Sequence, residues 1–109
     1  MQSKTMKAVV MIGIAAVLML VSGQAMAADG KALFATKGCT ACHGPDGKAP
    51  LMPLYPKLAG QNAPYLVDQL KAFKAQTRKN GQAALMWGQA AQLSDAEMDA
   101  IAKYLASVK

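Results

Sequence analysis

The sequence predicts a small all-α domain of three or more helices, and three observations carry that expectation. Between Ala28 and Lys109 no run alternates apolar and polar residues in the manner of a strand. Apolar residues recur at helical spacing in two stretches, Leu66, Leu70 and Phe73 in the first and Met98, Ile101, Ala102 and Leu105 in the second. The two cysteines and the one histidine of the 109-residue chain stand together in Cys39-Thr40-Ala41-Cys42-His43. That spacing attaches a haem covalently, so the helices have one prosthetic group to enclose.

Residues 1–27 read as a secretory signal peptide. Lys4 and Lys7 form a basic start, and Ala8 to Val21 is uncharged and apolar. Ala25 and Ala27 are small residues at the two positions a signal peptidase reads, with cleavage after Ala27. As a membrane anchor, the alternative, the apolar run is short. Its 14 residues span about 21 Å at ~1.5 Å per residue, against a hydrocarbon core of ~30 Å. Export to the periplasm, with no stable membrane insertion after cleavage, is therefore expected.

The remaining 82 residues, 28–109, make one domain. A chain this small is near the lower limit for a self-sufficient core, where a covalently held cofactor adds stability. It carries ten basic and six acidic residues, a net +4 before cofactor charges. That modest excess suits docking on an acidic protein partner, and no basic cluster interleaved with aromatics points to nucleic acid.

A first short helix opens at Asp29 or Gly30 and runs to Lys37, with Asp as cap and Gly38 as stop. Leu33 and Phe34 are its apolar payload. The motif at 39–43 follows. A disulfide within it would close too small a loop to stabilise much. A thioredoxin-type redox pair expects a βαβ setting that is missing here, and structural zinc wants four ligands where three are at hand. Covalent haem is the reading that uses all three residues: two thiols add to the two vinyl groups, and His43 reaches the iron.

Gly44 to Gln61 is rich in Gly and Pro and reads as a long loop, whose reason for existing would be to pack against a haem face. A second helix starts at Asn62 with Pro64 in its first turn and continues to Gln76. Residues 77–82 close it, and 83–93 has only partial helical character, with Gly88 inside. The last helix has Ser94 as N-cap and Glu97 three residues on, a capping box.

His43 is the proximal ligand because no other imidazole exists. Its second ring nitrogen should donate to a backbone carbonyl, for which Pro53 is the expected acceptor. A methionine in the sixth position marks electron-transfer cytochromes, and three remain beyond residue 27: Met52, Met86 and Met98. Met98 sits in a core stripe, where Met is usually filler, and Met52 lies close after His43 in the proximal loop. Met86 is left by elimination as the distal ligand, with an open sixth position as the alternative.

These residues resemble a class I c-type cytochrome of the small bacterial periplasmic monohaem type, as in cytochrome c-553 or one half of the dihaem cytochromes c. The marks are Cys39 to Gly44 with Gly47, the run Pro56-Lys57-Leu58-Ala59-Gly60-Gln61, and Tyr65, Leu66, Gln69, Leu70, Phe73 and Arg78. Met86 seven residues before Leu93-Ser94-Asp95 completes them. The resemblance implies that Gly30, Leu33 and Phe34 on the first helix cross Ile101, Tyr104 and Leu105 on the last. It also implies that Met86 is the distal ligand and that Arg78 sits near a haem propionate. Relatives often carry a second methionine three residues after the distal one; here that position is Gln89, and Trp87 is an unexpected neighbour.

The function expected is that of a one-electron carrier, not an enzyme, holding one haem c through Cys39 and Cys42. As a monomer it would move electrons from a membrane oxidoreductase to a terminal oxidase or reductase. Lys37, Lys48, Lys57 and Lys79 are candidates to ring the docking face. The alternatives are an open-site haem protein reactive to peroxide or gases, and a haem subunit of a larger oxidoreductase complex.

Overall fold

A computed structural model describes residues 29–109; the expected signal peptide at 1–27 lies outside them. The described residues form five helices and no strand: α1 Gly30–Thr36, α2 Thr40–His43, α3 Ala63–Lys74, α4 Ala84–Ala91 and α5 Asp95–Ser107. No helix among them is long and apolar enough to cross a membrane.

Local chemistry sets most of the helix ends. Asp29 Oδ1 accepts the backbone N–H groups of Lys31 at 3.0 Å and Ala32 at 3.3 Å, which caps α1. The helix ends in a left-handed residue, Gly38 at φ +82°. There the Gly38 and Cys39 N–H groups return to the carbonyls of Ala35 and Phe34, the Schellman arrangement that favours glycine. The same closure ends α3 with Gln76 at φ +58°, its N–H on Phe73 and that of Thr77 on Ala72. Asn62 precedes α3 in extended conformation, but its side chain makes no capping bond.

The expected capping box of α5 is complete. Ser94 Oγ accepts the Glu97 N–H at 3.1 Å, and Glu97 Oε1 accepts the Ser94 N–H at 3.0 Å. Lys37 Nζ lies 3.4 Å from Glu97, which joins the end of α1 to the start of α5. The Ser94 N–H, and after it Lys37, holds the Glu97 carboxyl below its ordinary pKa against a smaller opposing effect of desolvation. A carboxyl depressed in the folded state contributes stability above its unfolded pKa, about 4.3, and loses it as pH falls through the folded value. Glu97→Gln, which keeps the hydrogen-bonding shape, should therefore be less stable than wild type at pH 7, by a margin that shrinks as the pH falls through the folded-state value. Urea unfolding across an acidic pH series checks this, and a gap that does not narrow on acidification would exclude the charge as its cause.

Helix α4 is well formed where the sequence signal was weakest. Ala83 offers no side-chain cap, so its stability comes from packing: Ala83 and Ala90 are buried against Phe73, with Met86 and Trp87 closing over them. The larger cluster unites Phe34 of α1, Leu66 of α3, Leu93, and Met98, Ile101, Ala102 and Leu105 of α5. Leu70, on the same α3 face, flanks it half-buried.

As the resemblance implies, α1 crosses α5. Gly30 permits the approach, because a Cβ there would run into the Ala100 carbonyl oxygen and come within 2.8 Å of Tyr104 Cβ. One turn on, the Phe34 and Tyr104 rings pack with centroids 6.0 Å apart. The long loop is tied down at both ends of its course. The Gly47 carbonyl accepts the N–H groups of Leu58 and Ala59, and Gly60 N–H donates to Leu105 of α5 at 2.9 Å.

Candidate haem site

The motif is placed by the end of α1. Because the Cys39 N–H closes the Schellman turn on Phe34, the first cysteine is set where α1 stops, with its side chain against the main core cluster. Burial pushes the Cys39 thiol pKa up, partly offset by a backbone hydrogen bond. The chain then makes one helical turn, closed by the His43 N–H on the Cys39 carbonyl at 3.0 Å and the Gly44 N–H on Thr40 at 3.1 Å. At about 100° per residue, Cys39, Cys42 and His43 project from one sector of that turn. The two cysteines are not joined to each other in a disulfide. Two sulfurs and an imidazole thus face the same way from a rigid backbone, as two thioether bonds and an axial bond to one macrocycle require.

His43 is buried, with 5% of its surface exposed, and its Nδ1 lies 2.9 Å from the Pro56 carbonyl oxygen. A carbonyl can only accept, so Nδ1 carries the proton and Nε2 keeps its lone pair for a metal. The acceptor is Pro56 and not the expected Pro53. The chain turns between Met52 and Tyr55, whose N–H bonds the Met52 carbonyl at 3.1 Å, and Pro53 is left exposed in that turn. Pro56 emerges after it, on the segment that Leu58 and Ala59 hold to Gly47. Its place in the Pro56-x-Leu58-Ala59-Gly60-Gln61 run was the available signal.

The side chain that sequence reasoning missed is Tyr55. Its ring packs on that of His43, centroids 6.4 Å apart, and the neighbouring Cys42 side chain pushes the Tyr55 pKa up. Leu51 N–H, at 3.0 Å from the Cys42 carbonyl, brings the loop across the end of α2. Leu51, beside the motif, is an exposed apolar side chain, and Leu54 and Leu85 are exposed as well.

The three methionines fall into different settings. Met98 is fully buried in the main cluster. Met52 is exposed, on the turn that leads to Pro56. Met86 is half-buried in the first turn of α4 and near His43. Gln89, three residues further on, approaches Gly38 beside the motif. Arg78, expected beside a propionate, lies with its guanidinium 4.7 Å from the Phe73 ring centroid and with Nη1 donating to Gln69 Oε1 at 2.8 Å. An open depression of about 670 Å³ between Gly60 and Asp68 has no motif residue in its lining. Convergence of ligating chemistry on α2, not concavity, marks the site.

The chain is similar to known proteins. The cytochrome c family model matches residues 27–109. Over 69 residues the chain is 49% identical to cytochrome c-554(548) of Halomonas halodenitrificans, covering 63% of this chain and 82% of that protein. It is 35% identical over 99 residues to cytochrome c-553 of Nitratidesulfovibrio vulgaris, covering 91% and 95%. Among solved structures, reduced recombinant cytochrome c4 from Pseudomonas stutzeri superposes with a TM-score of 0.64 at 35% identity, over 73% of this chain and 46% of that one. The chain spans less than half the length of other curated relatives that it matches. With the helical fold, the cysteine pair and the oriented histidine all in agreement, the chain belongs to the cytochrome c family and its cofactor is haem c, bound through Cys39 and Cys42.

Proposed function

We propose that this protein is a periplasmic one-electron carrier with histidine and methionine as axial ligands, His43 on one side and Met86 on the other. Haem c supplies a one-electron ferrous/ferric couple when bound. The observation that carries the reading is the buried His43, fixed by the Pro56 carbonyl with Nε2 left free. A ligand locked in this way does not rearrange when the charge at the metal changes, which suits electron transfer. Cys39 and Cys42 hold the macrocycle in register with that imidazole. Met86, on a separate helix near His43, supplies the second soft ligand, while Met98 and Met52 are accounted for by the core and by the proximal loop. The core of α1, α3 and α5 keeps water from the back of the site.

The proposed donor is a membrane oxidoreductase and the proposed acceptor a terminal oxidase or reductase, with the monomer as carrier. The net positive charge of residues 28–109 and the exposed Lys48, Lys57 and Lys79 suit an acidic docking partner. The test is the optical spectrum of purified protein, oxidised and reduced, with and without carbon monoxide. A sulfur-to-iron charge-transfer band in the far red of the oxidised spectrum is expected, together with no carbon monoxide shift in the reduced one. A missing band with ready carbon monoxide binding would replace this reading by an open-site haem protein.

A further inference from the structure

Helix α4 bears the residue proposed as distal ligand, yet little holds it in rotation. It has no side-chain cap at its start, and its buried contacts, Ala83 and Ala90 on Phe73, are small and smooth. Among the described residues, one side-chain hydrogen bond joins α4 to another part of the chain. The Trp87 indole Nε1–H donates to the Arg78 carbonyl at 3.0 Å. Gln92 Nε2 to the Gly88 carbonyl stays within α4 and its cap, and Lys74 Nζ at the end of α3 donates to the Leu93 carbonyl, beyond that cap.

The acceptor is itself anchored. Arg78 follows directly on the closure of α3, where the Thr77 N–H and hydroxyl and the Arg78 N–H all reach the Ala72 carbonyl. Its guanidinium lies over the Phe73 ring and donates to Gln69. The Arg78 carbonyl is therefore carried on a segment fastened to α3 at Gln69, Ala72 and Phe73. Trp87 is the next residue after Met86, about 100° around the helix, so an indole held on that carbonyl sets the azimuth of the neighbouring thioether. An indole has one donor and no acceptor, which makes the bond directional as well as singular.

We propose that Trp87 is a positioning residue for the sixth ligand: its N–H, held on the Arg78 carbonyl, locks the rotation of α4 and so sets how firmly Met86 is presented. This rests on the reading of Met86 as distal ligand. Arg78 acts with it by holding the carbonyl in place.

The test is a titration of the oxidised, haem-loaded protein with imidazole, which competes with a methionine for the sixth position. Trp87→Phe keeps a ring and removes the donor, and it should bind imidazole about 3- to 10-fold more tightly than wild type, the worth of one hydrogen bond. Its sulfur-to-iron band should also weaken on warming before the helical circular dichroism falls. Arg78→Ala should shift imidazole affinity in the same direction by about 2-fold, and Gln92→Ala should not shift it. Wild-type imidazole affinity in a folded Trp87→Phe overturns the proposal, as does a lowered urea midpoint with no affinity change, the mark of a merely structural bond. Should Trp87→Phe not fold, unchanged affinity in Arg78→Ala overturns it equally. If Met86 is not the ligand, wild type lacks the sulfur band and Met86→Ala titrates like wild type. A band in wild type with identical titrations for Trp87→Phe defeats the Trp87 proposal alone.

Discussion

Gly30→Ala is expected to destabilise the haem-loaded protein by about 2–3 kcal/mol. The added methyl group would meet the Ala100 carbonyl oxygen, approach the Ala100 carbonyl carbon to 2.7 Å, and lie 2.8 Å from Tyr104 Cβ. Two of those obstacles are backbone atoms of α5, which no rotamer change can clear. The helices must separate instead, loosening Phe34, 1% exposed, from Tyr104 and the α5 stripe. Alanine recovers some helix propensity, at most about 1 kcal/mol, which is too little to offset the clash. Gly88→Ala is the matched control. A Cβ at Gly88 in α4 meets nothing within 4 Å, so the same change should stabilise by up to about 1 kcal/mol. Urea midpoints for the two variants decide the matter: an unchanged Gly30→Ala would mean that α1 and α5 do not cross as closely as Gly30 implies. Because Cys39 is positioned by the cap of α1, Gly30→Ala should also lower the yield of covalently attached haem.

Met86→Ala should have the largest functional effect. On the proposed ligation it removes the second axial ligand, abolishes the sulfur-to-iron band, opens the reduced iron to carbon monoxide and lowers the reduction potential, since a methionine ligand raises it. The structural cost should be modest. Met86 is only half-buried at the edge of the Phe73, Ala83 and Ala90 cluster, so the loss is about 1–2 kcal/mol, below the ~2–5 kcal/mol typical of a fully buried methionine. Met52→Ala and Met98→Leu are the controls. Met52 is exposed, and leucine nearly conserves the volume of the fully buried Met98. Both should retain the band. Its loss in Met52→Ala, with Met86→Ala retaining it, would transfer the ligand assignment.

The two sides of the site differ in how they are built. The imidazole side is over-determined: a helical turn, a carbonyl acceptor, the Tyr55 ring and the Leu51 bond to Cys42 all bear on His43 or its neighbours. Helix α4 rests on small alanine contacts and one indole bond. Changes at α4 should therefore alter ligand exchange more readily than haem attachment.

What could be read along the chain was what depends on neighbours within a few residues. The Asp29 cap and the Ser94–Glu97 capping box are closed by groups two or three positions apart, so composition and spacing determine them. The same holds for Cys39, Cys42 and His43, which one helical turn brings to one side whatever surrounds it. The all-α class followed from helical periodicity in residues 66–73 and 98–105. Three features depended on contacts between distant segments and could not be read this way. Pro56, not Pro53, holds His43, because a turn at 52–55 and the Gly47 carbonyl decide which carbonyl arrives at the imidazole. Helix α4 has helix-forming residues but no side-chain cap, and it is the packing of Ala83 and Ala90 on Phe73 that settles where it forms. Trp87, unexplained as a residue in a string, acquires a partner only when α4 folds back beside Arg78. A hydrogen bond spanning nine or thirteen residues leaves no periodic trace, since it is the closing of the loop, and not the residues along it, that brings donor to acceptor.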